Sequence, residues 1–399
     1  MLNTSRRLLI AGAAGVAVGG RAWAQGAGPV RIGVLTDEAG PYSSSGGAGS
    51  IAAAQMAVRD FGPSVLGVGI EVVHADTQNK PDVASGIARQ WYDQGVDAIT
   101  DLPVTPVAAA VQQVAREKGR TVMITAAAVT EFTSKLCAPI STHWADDTHA
   151  MAAGTAKVVT QGGGTSWFFL SVDFSFGAAL QAEATKVVEA NGGTVLGGAK
   201  FPLGNTDYSS QIVAAQASGA KVLGLAAVGG DQVNLVKQLA EFGLQGKTGQ
   251  MLAGFLVYIT DIDALGLEVA QGFRFPTSFY WDASAGTRAF SQRFFAERRA
   301  MPTQNQANVY AAVSHFLRSM AEAGTRDAVA VNRAMRARAL PFFGETTVVR
   351  GDGRVLHDLT LYRVKAPGES RAAWDYLAPI GTVAAGEAFL PAAGGCLVG

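Results

Sequence analysis

The chain has 399 residues with 32 basic and 32 acidic side chains, so its formal net charge is zero, and only 16% of its residues are charged. This balance argues against a nucleic-acid-binding or polybasic membrane-binding role. Hydrophobic residues make up 48% of the chain and 48 residues are glycine, which indicates a globular protein with many tight turns. A chain of this length predicts two domains or one large one, and we expect two lobes.

The first 24 residues have the pattern of a removable export signal. Arg6 and Arg7 form a basic segment, residues 8–20 are small and aliphatic, and Ala22-Trp23-Ala24 is a small-x-small cleavage motif. The apolar run is shorter than the roughly 20 residues that a membrane-spanning helix needs. We therefore predict that residues 1–24 are a signal peptide, which directs export through either the Sec or the twin-arginine pathway. The mature protein is expected to be periplasmic and not embedded in a membrane.

The chain contains two cysteines, Cys137 and Cys396. After export they would reach an oxidising compartment, where a pair of cysteines can persist as a disulfide. Two separate buried thiols are the alternative, because the sequence alone does not show whether the two Cα atoms come within bonding distance.

Short apolar runs alternate with segments of helical periodicity along the first third of the chain. This β-α-β-α order predicts a parallel sheet covered on both faces. The predicted strands are 30–37, 69–75, 96–100 and 121–125, and the predicted helices are 49–61, 81–94 and 106–118.

The same alternation restarts after Trp144 and indicates a second α/β unit of similar size. The segment 275–281 is a candidate bridge between the units, and residues 345–365 alternate as strands around the turn 350–353. The predicted strands of this unit are 166–172, 194–200, 222–228 and 251–254, and its predicted helices are 149–161, 177–191, 209–218 and 231–242. Two further helices are predicted after the candidate bridge, at 285–299 and 305–323.

Ligands of open parallel sheets bind outside the carboxyl ends of the strands. The loops at these ends carry mainly small, hydroxyl-bearing or apolar side chains, so most of their polar groups belong to the backbone. They are residues 37–46, 101–105, 125–130, 173–177, 229–231 and 255–258.

The sequence contains none of the hydrolase, metalloprotease, Cys-x-x-Cys or Walker motifs, so we expect neither catalysis nor a cofactor. His143 and His149 with Asp146 and Asp147 form the densest polar cluster. A spacing of six residues does not put both rings on one helical face, which favours a helix cap by one of the aspartates over a metal site. The acid pair at 37–38 is expected to hold its loop by accepting backbone N–H bonds.

Several short motifs, in this order along the chain, are typical of one family. The chain resembles the periplasmic substrate-binding proteins of the type I fold, the branched-chain (leucine-isoleucine-valine) amino-acid-binding class that serves ABC transporters. The motifs are Ile32-Gly33-Val34-Leu35-Thr36-Asp37 with Gly40-Pro41, the helix 49–61, Asp76, Gly95-Val96-Asp97-Ala98-Ile99, Trp167-Phe168-Phe169-Leu170 with residues 173–177, Tyr310-Ala311-Ala312-Val313 and Gly351-Asp352-Gly353-Arg354.

The resemblance implies a bilobal α/β clamp of two doubly wound parallel-sheet lobes joined by three crossovers, with a small-molecule ligand held between the lobes. It further implies a monomer without a cofactor that delivers its ligand to an ABC transporter membrane permease. Lobe 1 would comprise residues 28–147 plus 277–340, lobe 2 residues 148–276 plus 341–399, and the crossovers would lie near 144–148, 275–279 and 340–344.

The chain departs from the amino-acid-binding pattern of this family. Positions that match its carboxylate-binding hydroxyls are Val104 and Val129, although nearby threonines could substitute. The position that matches its ammonium-binding acid is about Leu256, with Asp231 the only acid close by. A buried ammonium without a carboxylate partner would cost several kcal/mol, so an α-amino acid is disfavoured.

We therefore expect a small aromatic or hydrophobic ligand, a carboxylate held by backbone N–H groups and threonine hydroxyls. Uptake of branched-chain or other amino acids, a sensory binding protein and an exported α/β enzyme remain alternatives. The candidate ligand-binding residues are Tyr42, Ser45, Leu102, Val104, Thr105, Thr125, Ala127, Val129, Phe174, Phe176, Asp231, Leu256 and Tyr258.

Overall fold

The computed structural model describes residue 1 and residues 28–244 and 250–392. Residues 2–24 of the predicted signal peptide and Cys396 lie outside the described residues, so signal-peptide cleavage and the pairing of Cys396 with Cys137 stay predictions. Within the described ranges, no helix has both the length and the apolar character needed to cross a membrane.

The first unit is a six-stranded sheet in the order β2-β3-β1-β4-β5-β6, parallel except where β2 joins β3. Strand β1 reads as an almost continuously buried apolar run, as strands covered on both faces do. The elements are β1 Val30–Thr36, α1 Gly47–Phe61, β2 Ser64–Val65, β3 Val68–Asp76, α2 Pro81–Asp93, β4 Ala98–Asp101, α3 Thr105–Lys118, β5 Thr121–Ile124 and β6 Ser141–His143.

The second unit repeats the alternation, and its first helical segment is interrupted by a π-turn between α4 and α5. The elements are α4 Thr148–Ala152, α5 Val158–Gln161, β7 Ser166–Val172, α6 Ser175–Ala190, β8 Thr194–Phe201, α7 Ser209–Ala217, β9 Val222–Ala226, α8 Gly229–Glu241, β10 Met251–Gly254, α9 Ile259–Leu265, α10 Leu267–Ala270 and β11 Arg274–Thr277.

The remaining chain returns to the first unit and then to the second. Helix α12 packs on α1, whereas β15 and β16 extend the second sheet in the order β16-β15-β11-β10-β9-β7-β8. The elements are α11 Ala285–Arg298, α12 Gln304–Ala323, α13 Ala328–Ala337, β12 Leu340–Phe342, β13 Glu345–Val349, β14 Val355–Leu356, β15 Leu359–Val364, β16 Leu377–Val383 and α14 Ala385–Ala388.

The two sheets and their helices make the α/β bilobal architecture expected from the sequence. The residue boundaries of the lobes stay a prediction. Val349 and Val355 pack in one hydrophobic cluster with α1 and α12, whereas Leu359 begins a strand of the second sheet. This packing favours a third crossing at 356–359 rather than at 340–344.

Gly177 sets how closely α6 approaches the end of β7. A Cβ built on it would lie 2.1 Å from the backbone oxygen of Val172, a distance that no real contact allows. Only glycine therefore lets the first turn of α6 reach this position, next to Phe174 and Phe176.

We expect Gly177→Ala to lower the free energy of unfolding by about 1–3 kcal/mol, because the helix must move away from the strand. The matched control is Gly86→Ala in α2, where a Cβ meets nothing within 4 Å. That control should raise stability by about 0.5–1 kcal/mol through helix propensity. Urea unfolding of both variants measures this, and equal effects of the two substitutions would contradict the argument.

Candidate functional site

A small cavity lies between the two units, lined by loops that follow their parallel strands. Among the described residues that line it, none carries a charge. Its wall consists of Tyr42, Ser45, Pro103, Thr105, Ala126, Ala128 and Asn305 from the first unit and Phe174, Phe176, Val228, Leu256 and Tyr258 from the second. A wider groove of about 550 Å³ along β15 and β16 contains none of the predicted loops.

Seven of the thirteen candidate residues come together in this wall: Tyr42, Ser45, Thr105, Phe174, Phe176, Leu256 and Tyr258. Leu102, Val104, Thr125, Ala127 and Val129 are buried in the loops that carry the wall, but they do not line it. Ala127 lies between two lining alanines. Asp231 faces another way and accepts hydrogen bonds from the Gly204 N–H at 3.0 Å and the Tyr208 hydroxyl at 3.2 Å.

The cavity wall contains residues that were not predicted from the sequence, and one of them, Asn305, forms a hydrogen bond across the cleft. It lies in the first turn of α12, far along the chain from the loops of the first sheet, and no motif marked it. Its Nδ2 donates to the Tyr258 hydroxyl of the second unit at 2.9 Å. The capping box formed by Thr303 and Gln306 is the local sequence signal that a helix begins next to Asn305.

The loop after β1 is held by Asp37. Its carboxylate accepts the N–H groups of Gly40 at 2.7 Å and Tyr42 at 2.9 Å, and the Nδ2 of Asn79 at 2.8 Å. The hydroxyl of Ser45 donates to the Tyr42 carbonyl. The first member of the acid pair thus fixes the loop that carries Tyr42, as expected.

The end of β4 is strained. Asp101 and Leu102 both have left-handed backbone, with φ of +79° and +66°, a conformation that non-glycine residues adopt only where the surrounding structure imposes it. The turn leads directly into Pro103 and Thr105 of the cavity wall. Burial raises the pKa of the Asp101 carboxyl to about 6.

Five helices begin at the cavity. Thr105 and Asn305 lie in the first turns of α3 and α12, and Phe174, Val228 and Tyr258 precede the first residues of α6, α8 and α9. The first N–H groups of a helix lack intrahelical acceptors and carry partial positive charge. The cavity wall therefore combines an apolar, aromatic lining with backbone donors suited to an anion.

The two units are closed on each other. Besides the Asn305–Tyr258 bond, the Gly230 N–H donates to the Pro41 carbonyl across the cleft at 3.2 Å. The cavity volume is about 20 Å³, which is room for about one water molecule. A solute can enter only when the units separate, so the arrangement is that of a clamp.

Behind the cavity wall, a buried guanidinium connects the crossing segments. Arg354 Nη1 donates to His143 Nδ1 at 2.9 Å and Nη2 to the Ala145 carbonyl at 2.5 Å, with the Asp147 carboxylate 3.4 Å away. A guanidinium has only donors, so His143 must be neutral with its proton on Nε2. That Nε2–H donates to the Ala127 carbonyl at 2.8 Å, which holds the loop between Ala126 and Ala128.

A second pair joins the same segments. His357 Nε2 lies 2.7 Å from Asp146 Oδ1, and Asp146 Oδ2 accepts the Ser278 N–H at 3.0 Å. Residues from three distant segments of the chain, 143–147, Ser278 and 354–357, therefore meet in one buried polar cluster. Pairing offsets most of the cost of burying these groups, although His357 Nδ1 has no hydrogen-bond partner among the described residues.

The His-Asp cluster of the sequence is thus divided among structural roles. His149 bonds Glu183 at 3.1 Å, and Asp147 caps α4 by accepting the Ala150 N–H at 2.9 Å. No group of three or more His, Cys, Asp or Glu residues in the described ranges could hold a metal ion. The geometry supports the helix-cap interpretation of the cluster.

The pH dependence of stability should reflect His143. Burial, and then the charge of Arg354, hold the pKa of this histidine well below its usual 6.5, so the unfolded chain binds the proton first as the pH falls. The free energy of unfolding should therefore decrease below about pH 6.5, by up to about 1.4 kcal/mol per pH unit. His143→Gln keeps one donor and one acceptor but does not titrate, so it should make this slope shallower. A contribution of the same sign remains from His315, whose pKa burial lowers to about 4.

Urea unfolding of both proteins from about pH 5 to about pH 8 measures the difference. Burial raises the pKa of Asp101 to about 6 and of Asp261 to about 7. Their folded forms bind protons more readily than the unfolded chain, so these two contribute stability that is lost as the pH rises. Both groups are present in both proteins and cancel in the comparison. Identical slopes for wild type and His143→Gln would contradict the assignment.

Comparison with solved structures places this geometry among periplasmic binding proteins. A periplasmic binding protein from Burkholderia mallei is 39% identical with a TM-score of 0.89, over 93% of this chain and 98% of that one. A branched-chain amino-acid ABC transporter periplasmic ligand-binding protein from Burkholderia xenovorans is 34% identical with a TM-score of 0.81, over 91% and 97%.

A third structure shares the fold alone. It is a solute-binding protein of an ABC transporter from Rhodopseudomonas palustris in complex with 3,4-dihydroxybenzoic acid, 18% identical with a TM-score of 0.81 over 90% of this chain and 98% of that one. Comparison with curated proteins gave no match. Residues 29–370 match the family model described as periplasmic binding protein. The chain therefore belongs to the periplasmic binding protein family.

Proposed function

We propose that this protein is the extracytoplasmic solute-binding subunit of an ABC importer and that its ligand is a small aromatic or hydrophobic carboxylate. The protein acts as a monomer that closes its two lobes on the ligand and presents the closed form to a membrane permease. The family is one of solute-binding proteins rather than of enzymes. The observation that carries the ligand class is the uncharged, aromatic cavity at which five helices begin.

The lining supports one charged group on the ligand and an apolar remainder. The rings of Phe174 and Phe176 lie 6.0 Å apart at the start of α6 and offer a hydrophobic wall. In the first turn of α3 the N–H groups of Thr105 and Val107 precede the first intrahelical bond, which starts at Ala108, so they can receive a carboxylate; Pro106 has no N–H. A flat ring also requires the least widening of so narrow a cavity.

An α-amino acid is the second candidate, because the 34% identical relative is described as a branched-chain amino-acid transporter component. The cavity wall argues against it here. No acid lines the wall among the described residues, and Asp231 is already bonded to Gly204 and Tyr208. An ammonium group would lose its hydration without a carboxylate partner.

A thermal-shift and calorimetric screen of the mature protein tests the ligand class. We expect benzoate and related aromatic acids to raise Tm and to bind, and leucine and valine to have little effect, since stabilisation follows ligand concentration over Kd. A Tm increase by leucine or valine as large as that by any aromatic acid would contradict the proposal.

Phe176→Ala should weaken binding of the aromatic acid by about ten- to a hundredfold, since a buried aromatic ring contributes about 1.5–3 kcal/mol. The matched control is Phe242→Ala, because Phe242 is 43% exposed after α8 and outside the cavity wall. That substitution should leave the affinity unchanged. Equal losses in the two variants would contradict the assignment of the site.

We also propose export to the periplasm through the signal peptide 1–24. Mass spectrometry of protein from the periplasmic fraction should find a mature chain that begins at Gln25, and an uncleaved chain beginning at Met1 would contradict this. Replacing Arg6 and Arg7 by lysine identifies the route, since a twin-arginine signal requires the arginine pair and a Sec signal needs only positive charge.

A further inference from the structure

Two buried polar atoms of the cavity wall have no hydrogen-bond partner among the described residues. They are the hydroxyl Oη of Tyr42 and the amide Oδ1 of Asn305. The side chains are 3% and 2% exposed, and both line the cavity. Buried polar atoms are nearly always paired, so atoms left free in a ligand cavity indicate what the ligand must supply.

Each atom has a defined capacity. The Nδ2 of Asn305 already donates to Tyr258, which leaves Oδ1 as an acceptor. Exchanging N and O of this amide would leave a donor there instead. Burial first, and then the carboxylates of Asp231 and Asp37, raise the pKa of Tyr42, so its hydroxyl keeps its proton and can donate or accept.

We propose that the ligand carries a hydroxyl group that binds between Tyr42 and Asn305. A hydroxyl donates one hydrogen bond and accepts others, so it satisfies both atoms in either orientation of the amide. This inference rests on the proposed function and defines which aromatic or hydrophobic acid the site selects.

Other polar groups fit less well. A carbonyl only accepts and would leave Asn305 Oδ1 unpaired. A second carboxylate would bring negative charge toward Tyr42, whose surroundings already include Asp231 and Asp37. An ammonium would lack an acid, because no described residue of the wall is charged.

The hydroxyl also links recognition to closure. Asn305 comes from the first unit and holds Tyr258 of the second, so a ligand that binds its Oδ1 fixes the amide orientation that bridges the cleft. Tyr42 lies on the loop that meets the second unit, since the Pro41 carbonyl accepts the Gly230 N–H. Both contacts are complete only in the closed form.

Isothermal titration of benzoate and of 2-, 3- and 4-hydroxybenzoate into the mature protein tests the inference. We expect at least one hydroxybenzoate to bind about tenfold more tightly than benzoate. Tyr42→Phe and Asn305→Leu should each reduce this preference to about threefold or less. The preference is a ratio within one variant, so a general loss of affinity through the missing Asn305–Tyr258 bond does not affect it.

Tyr92→Phe is the matched control. Tyr92 is also 3% exposed and belongs to the first unit, but its hydroxyl donates to the Thr121 carbonyl outside the cavity wall. It should keep the full preference for the hydroxybenzoate. Benzoate binding as tightly as all three isomers, or a preference unchanged in both cavity variants, would overturn the hydroxyl inference alone. Failure of all four acids to bind would overturn the proposed function and this inference with it.

Discussion

The buried guanidinium of Arg354 is the constraint around which the junction of the two units is organised. Its side chain is removed from water, so its donors must all find acceptors inside the protein. His143, the Ala145 carbonyl and Asp147 accept from its two terminal nitrogens, and the Val355 carbonyl accepts from Nε. Because His143 then has one nitrogen left to donate, it holds the Ala127 carbonyl, and the position of the cavity loop follows from the pairing at the junction.

The cavity itself follows from parallel-sheet topology. Strands that run the same way end at one edge, and the helices that follow them begin there. Each unit contributes such an edge, and the edges face each other across the cleft. Their loops supply aromatic rings and backbone N–H donors rather than charged side chains. This composition suits the binding and release of an anion whose remaining surface is apolar. The bonds Asn305–Tyr258 and Gly230–Pro41 join the two units across the cleft in this closed arrangement.

Local patterning predicted the regular elements well. Strand 166–172 and strand 251–254 have the predicted bounds, and the long helices differ by a few residues at their ends. Short elements were missed, among them β2, β6 and β12, because two or three residues show no measurable period. Helix α13 was missed as well.

The residues of the candidate site likewise divide into those that local sequence predicted and those that depend on tertiary packing. Phe174 and Tyr258 directly precede helices, and a rule about strand ends was enough to select them. Asn305 needs a helix from a distant part of the chain to arrive at the same edge, and only tertiary packing shows this. In the loop after β5, sequence reasoning selected Ala127, whereas its two neighbours line the cavity and Ala127 is held through its carbonyl by His143.

The sequence by itself determined the α/β class, the repetition of two units, the family resemblance and the apolar character of the binding loops, because periodicity, composition and short motifs are local properties. The tertiary structure alone decided which side chains share the cavity, which polar atoms remain free to bind a ligand, and how the crossing segments are locked by Arg354. These are long-range properties: a hydrogen bond such as Asn305–Tyr258 joins residues that only the folded chain brings together.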